Sequence, residues 1–228
     1  MRCLLELPGQ YKAAIFDLDG TLVDSMHVWD RICRDWLAGK GIHADDALER
    51  EIAAMTLSQS AGYVIRRYAV PLSPAEIQAE WDAIVVRRYR QDVPLKEGAA
   101  ELVKTLAARG MKLGIATSCF PAACEAVLAR HGIQDYFSVI CYTDQLMRDK
   151  TFPDVYRACA RRLGADPKDC VVFEDFPAAA SGVKAAGMGL VAVYDESASP
   201  QWESFKRQAD AAAVSFREFL GSIPFIRP

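Results

Sequence analysis

Asp17 and Asp19 stand two residues apart at the end of a short apolar run, within KAAIFDLDGTLVDS from Lys12 to Ser25. Residues i and i+2 of a strand point to the same side, so both carboxylates can face one small volume. Two carboxylates held that close repel each other and call for a cation. Mg²⁺ suits them, being a hard ion that takes carboxylate, carbonyl and water oxygens. A second apolar run, CVVFED, ends in the adjacent acids Glu174 and Asp175. Ionised carboxylates are rarely buried without a partner or a metal. A third run, LGIATSC, ends in Thr117 and Ser118, offering a hydroxyl and fresh backbone N–H groups that suit a phosphate. Lys150 follows a fourth run and supplies a point charge for an anion. Histidine chemistry has little to work with, because His27, His43 and His131 are the only histidines and none has a suggestive neighbourhood. The sequence therefore points to carboxylate chemistry.

The elements that would carry these residues alternate. Short apolar runs bounded by turn signals read as buried strands of a parallel sheet: Ala13–Phe16, Lys112–Ala116, Ser138–Cys141, Cys170–Phe173, Leu190–Val193 and a short last one at Ala211–Val214. Between them, helical patterning covers Gly98–Arg109, Phe120–His131, Pro153–Leu163 and Pro177–Ala186, and Ser215 with Glu218 caps a final helix. Strands alternating with helices imply a parallel sheet covered on both faces. In such open sheets the ligand site lies outside the carboxyl ends of the strands, where all the acids above fall.

From Ser25 to about residue 94 the strand pattern vanishes. Val28, Ile32, Trp36 and Leu37 recur at helical spacing, and helices are expected at Asp45–Met55 and Ser58–Tyr68. Ser73-Pro74-Ala75-Glu76 is a capping box with Pro at N1, opening a helix that runs to about Arg90. Arg66, Arg67, Arg87, Arg88 and Arg90 read as a solvated helix face. The expected organisation is a doubly wound, Rossmann-like α/β core (residues 1–24 and 95–228) with an inserted all-helical cap (residues 25–94) lying as a lid over the site.

Composition narrows the function classes. The 228 residues are 51% apolar and 25% charged with a net charge of −3, ordinary globular values with no basic footprint for nucleic acid. No stretch reaches the ~18 apolar residues of a membrane span, and the N-terminal apolar run is broken by Glu6 and Pro8. The seven cysteines are scattered with no C-x-x-C, which suits reduced thiols in a cytoplasm rather than a disulfide framework or a zinc site. Cys119 follows the Thr117–Ser118 turn, but no His or Arg cluster stands nearby to lower its pKa.

Taken in order, DLDGTLVDS, IATS, DKTFPDVY and VVFED resemble the four motifs of the haloacid dehalogenase superfamily of phosphotransferases, at the usual intervals and over almost the whole chain. The helical block after the first motif is similar to the cap of β-phosphoglucomutase-like and phosphoglycolate-phosphatase-like members. The resemblance implies that Asp17 is the nucleophile, forming an aspartyl phosphate, and that Asp19 is the general acid and base. It implies that Asp17, the Asp19 carbonyl and Asp175 hold Mg²⁺, with Glu174 a ligand or a support behind the ligands. Thr117, the Ser118 amide and Lys150 would bind the phosphoryl oxygens.

The departures refine this reading. Asp19 occupies a position that the dehalogenases of the superfamily lack, which argues against dehalogenation. Trp29 and roughly Ser58 stand where the mutases carry a His and an Arg, and Thr21 is the phosphatase-like residue of the first motif. Phe176-Pro177-Ala178-Ala179, with Gly182 later, replaces the usual Ser and Gly after the fourth motif. In the cap, His27, Thr56 and Ser58 could face substrate, and Trp29 reads as a core residue. The expected function is Mg²⁺-dependent hydrolysis of a small phosphorylated metabolite, a sugar or polyol phosphate, by a monomer or homodimer. A phosphoglucomutase of the same fold and a non-catalytic binding protein are the alternatives.

Overall fold

In the computed structural model, residues 11–52, 55 and 57–222 are described. They form two compact units, one from the described residues of Met1–Asp24 and Pro94–Pro228, the other from those of Ser25–Val93.

The first unit is built on a six-stranded sheet of order β3-β2-β1-β4-β5-β6. Its strands are β1 (Ala13–Phe16), β2 (Lys112–Thr117), β3 (Phe137–Tyr142), β4 (Cys170–Glu174), β5 (Gly189–Val193) and β6 (Ala211–Ala213). All neighbours pair in parallel, and this order is the doubly wound one. The centre of the sheet is almost continuously buried, with Ala13, Ala14, Ile15 and Phe16 fully inaccessible, as strands covered on both faces must be. Phe16 stacks on Phe173 from the next strand, with centroids 4.5 Å apart, and Phe216 and Phe219 pack edge-on against Phe173.

Each apolar run therefore became a strand: β1 as expected, β2, β4 and β5 one residue longer, and β6 one residue shorter, ending at Ala213. The edge strand β3 extends to Phe137 and Tyr142, because backbone pairing with β2 continues past the apolar residues. The expected final cap is present, with Glu218 N–H donating to Ser215 Oγ at 3.2 Å. A helix at Trp202–Gln208 has no counterpart in the sequence reading. Pro200 and a mostly polar composition hide it, and only Phe205 of it is buried, with Trp202 packed partly buried against the same core. Pro94 belongs with this first unit rather than with the helical insert, since its carbonyl accepts from Asp24 N–H at 3.0 Å.

The second unit is helical: α1 (Met26–Gly39), α2 (Leu48–Ile52), α3 (Leu57–Tyr68) and α4 (Pro74–Gln91). Trp36 and Trp81 pack edge-to-face at 6.0 Å between α1 and α4, and the Trp36 indole N–H donates to Glu80 at 2.7 Å. The capping box forms at Ser73 and Glu76. One expectation is corrected. The helix expected from Asp45 begins only at Leu48, because the Asp45 side chain accepts from Ala47 N–H and its carbonyl is tied to Arg34. Asp and Asn side chains that bond the backbone two residues on favour a turn over a helix.

Candidate active site

Four helices of the first unit frame the strand ends: α5 (Ala99–Ala108), α6 (Pro121–Arg130), α7 (Asp154–Leu163) and α8 (Ala179–Ala186). Asp17 leaves β1 with its backbone still paired, its N–H donating to the Phe173 carbonyl at 2.9 Å. The chain then turns sharply. Leu22 and Val23 N–H groups both donate to the Leu18 carbonyl, and Gly20 N–H to that of Val23. Gly20 has φ +77°, and a Cβ there would run into the Asp175 carboxylate. Only glycine allows both the left-handed turn and that close approach.

Asp175 and Glu174 arrive on the adjacent strand, β4. Thr21 Oγ1 donates to Asp175 Oδ1 at 2.8 Å. Lys150 bridges two acids, ion-paired to Asp17 Oδ1 and lying 2.7 Å from Glu174 Oε1. The Tyr156 hydroxyl donates to the same Glu174 oxygen at 2.9 Å. Asp17, Lys150, Glu174 and Asp175 are all buried, Glu174 completely. Lys150 is seated from behind by α8, where a Cβ on Gly182 would strike the backbone oxygens of Lys150 and Phe152.

The electrostatics are unbalanced. Carboxylate oxygens of Asp17, Glu174 and Asp175 lie within 4.8 Å of one another, and Lys150 is the one cation ion-paired to them among the described residues. Burial pushes the Glu174 carboxyl up, and the neighbouring Asp17 adds to it, while Lys150 and Tyr156 oppose the shift. Asp175 is raised as well, first by burial and then by Asp17 and Glu174, with Thr21 and Lys150 opposing. Burial works against the charge of Lys150, but Asp17 and Glu174 hold it above the usual lysine range. Glu174 Oε2 is buried with no hydrogen-bond partner. Three acids against one ammonium, with a carboxylate oxygen left over, fit a divalent cation that takes hard oxygen ligands.

The other residues singled out from the sequence are placed as follows. Thr117 ends β2, fully buried, and its Oγ1 accepts from Cys119 N–H at 2.9 Å. That bond pins the turn and presents Ser118, which is exposed and whose Oγ accepts from Thr143 Oγ1 at 3.2 Å. Asp19 is half-buried and hydrogen-bonds Cys119. Burial first, then the charge of Asp19, keeps the Cys119 thiol far above the usual thiol range, so it is no thiolate nucleophile. In the helical unit His27 and Ser58 are exposed. Trp29 donates its indole N–H to the Tyr89 hydroxyl at 2.8 Å, a packing role. Thr56 lies outside the described residues. Tyr156 and Gly182 are the site residues whose roles were not read from the sequence. A tyrosine on an otherwise apolar helix face was the only available signal for the first.

The sequence model of the haloacid dehalogenase-like hydrolases matches residues 11–187. Hexitol phosphatase B of Escherichia coli (strain K12) is 30% identical over 83% of this chain and 86% of its own length. The bifunctional riboflavin kinase/FMN phosphatase of Arabidopsis thaliana is 30% identical over 78% of this chain, which spans only 47% of that relative. Among solved structures, a β-phosphoglucomutase homologue from Thermotoga maritima superposes with a TM-score of 0.78 at 24% identity, covering 92% of this chain and 97% of that one. That likeness is one of fold.

Proposed function

We propose, for a chain that belongs to the haloacid dehalogenase-like hydrolase family and is a phosphoric monoester hydrolase, that Asp17 is its nucleophile and a small sugar or polyol phosphate its substrate. The observation that carries this reading is the buried acid set of Asp17, Glu174 and Asp175 around the single ammonium of Lys150. The hexitol phosphatase relative supports the substrate class.

In this reading Asp17 attacks phosphorus and becomes an aspartyl phosphate, splitting one hard displacement into two. Asp19 protonates the departing ester oxygen, then takes the proton of the water that hydrolyses the intermediate. Lys150, the Thr117 hydroxyl and the Ser118 amide hold the phosphoryl oxygens, where positioning and charge do most of the work. A hydroxyl that accepts one bond from Cys119 N–H retains a proton to donate. Asp17, the Asp19 carbonyl, Asp175 and Glu174 would hold Mg²⁺, which when bound neutralises charge shared by the nucleophile and the phosphoryl group.

The test is release of inorganic phosphate from a panel of sugar, polyol and nucleotide phosphates, with Mg²⁺ and with EDTA. The reading expects metal-dependent release of phosphate, rather than an isomerised sugar phosphate, with a sugar or polyol ester preferred. Asp17→Asn should lower turnover by about three orders of magnitude or more, the scale of nucleophile removal in other enzymes. Full turnover in that variant refutes the mechanism.

A further inference from the structure

We propose that Cys141 and Cys159 are a modification site, a thiol pair that a hydroperoxide converts to a disulfide joining β3 to α7. The inference stands on geometry outside the acid cluster. Cys141 lies near the end of β3, the strand at the edge of the sheet. Cys159 lies on α7, and the two side chains share one buried cluster. Arg162, one turn further along α7, donates from Nη1 to Cys141 Sγ at 3.5 Å, and the same nitrogen bonds the Ile140 carbonyl at 2.9 Å. Cys159 packs against β2, where its thiol donates to the Ile115 carbonyl at 3.7 Å and the absence of a side chain at Gly114 leaves room for its sulfur.

The chemistry of the pair is asymmetric. Cys141 is drawn below the usual thiol range by its pairing with Cys159 and then, against the effect of burial, by the charges of Arg162 and Arg161. Cys159 is raised by Cys141 beside it, and burial and Cys170 act in the same direction. A thiol with an arginine 3.5 Å from its sulfur, next to a second thiol, is the arrangement that makes a cysteine nucleophilic. The contrast lies within the chain, where burial raises Cys33, Cys119 and Cys124 and keeps them as inert thiols. Cys141 is only 3% exposed, so reagent reaches it through local opening. An edge strand with no neighbour on its outer side is where such opening costs least.

The reaction balances with the peroxide as oxidant. The Cys141 thiolate attacks a peroxide oxygen, the O–O bond breaks, and the alkoxide or hydroxide leaves and takes up a proton. Cys141 is then a sulfenic acid. Cys159, as thiolate, attacks that sulfur, the S–S bond forms, and the S–O bond breaks to give water. The two thiols lose two electrons and two protons, and the peroxide is reduced to an alcohol or water. The bridge would span the segment carrying Lys150 and Tyr156.

The experiment treats the folded, full-length protein with hydrogen peroxide, blocks remaining thiols and maps tryptic peptides without reduction. The expected product joins peptide 158–161 (ACAR) to peptide 131–148, each of which carries a single cysteine, and a dithiol reductant reverses it. Cys159→Ser should instead leave a dimedone-reactive sulfenic acid at Cys141. Arg162→Gln, a surface change that leaves both thiols in place, should slow bridging by about tenfold through loss of thiolate. The proposal is overturned if the link forms only in denaturant. It is also overturned if Cys33, Cys119 or Cys124 oxidises as fast as Cys141, or if Arg162→Gln leaves the rate unchanged.

Discussion

The Lys150 ammonium lies 2.7 Å from Glu174 Oε1 while also pairing with Asp17, so one cation ties the end of β1 to the end of β4. Truncating one member of a buried ion pair leaves the others uncompensated and typically costs about 3–5 kcal/mol. Lys150→Met should therefore lose stability on that scale as well as phosphate release. Thermal denaturation should show that added Mg²⁺ recovers more stability in this variant than in the wild type, because it replaces missing positive charge. Equal recovery in both would mean that the ammonium and the metal do not share the acids.

Gly182 makes a prediction of its own, because a Cβ there meets backbone oxygens of Lys150 and Phe152 rather than a flexible side chain. Gly182→Ala should cost about 1–3 kcal/mol, the usual range for overpacking, and should lower turnover by displacing Lys150. Denaturant unfolding measures the first effect and steady-state kinetics the second. A variant with wild-type stability would show that α8 can draw back freely.

The raised Glu174 and Asp175 carboxyls fix the sign of a pH effect. In the metal-free protein each holds its proton above the ordinary carboxylate range. The stability this contributes is present at acid pH and fades as pH rises through the raised values. Mg²⁺ requires the ionised forms, so its binding should release protons and tighten as pH rises. The gain in melting temperature on adding Mg²⁺ should grow from about pH 5 to pH 8. Calorimetry in two buffers of different ionisation enthalpy should report proton release; a gain independent of pH would contradict the assignment.

Away from the acid cluster, Lys96 Nζ lies 2.5 Å from Asp195 Oδ2, and Ser197 donates to the other carboxylate oxygen through its N–H and its hydroxyl. Asp195 is held below the usual carboxylate range against the cost of burial, chiefly by Lys96 and Ser197. A depressed carboxyl contributes stability above its unfolded pKa and loses it as pH falls through the folded value. Asp195→Ala should cost about 1–3 kcal/mol at neutral pH, with the difference from wild type shrinking in acid. A deficit that stays constant down to acid pH would show that packing, not charge, is what was removed.

Much of this architecture was legible in the sequence because parallel strands buried on both faces must be apolar and short. Ala13–Phe16 and Cys170–Glu174 also end in acids that no buried strand would carry by chance. What could not be read depends on distances across the chain. Nothing in the order of residues says that Lys150 reaches both Asp17 and Glu174, that Tyr156 supports the latter, or why position 182 is glycine. The start of α2 was placed three residues too early because the Asp45 side chain competes with helix for the backbone. The helix at Trp202–Gln208 was missed because two apolar residues, Trp202 and Phe205, leave almost no periodicity to see.

The central claim is that Asp17 carries the phosphoryl group, and chemical trapping tests it most directly. Enzyme quenched in acid during turnover would be reduced with borohydride, which converts an aspartyl phosphate to homoserine, and digested with trypsin. The account predicts homoserine at position 17 within peptide 13–31, dependent on substrate and absent from Asp17→Asn. Turnover with no modified residue in that peptide, or with the mark on Asp19 instead, would contradict it.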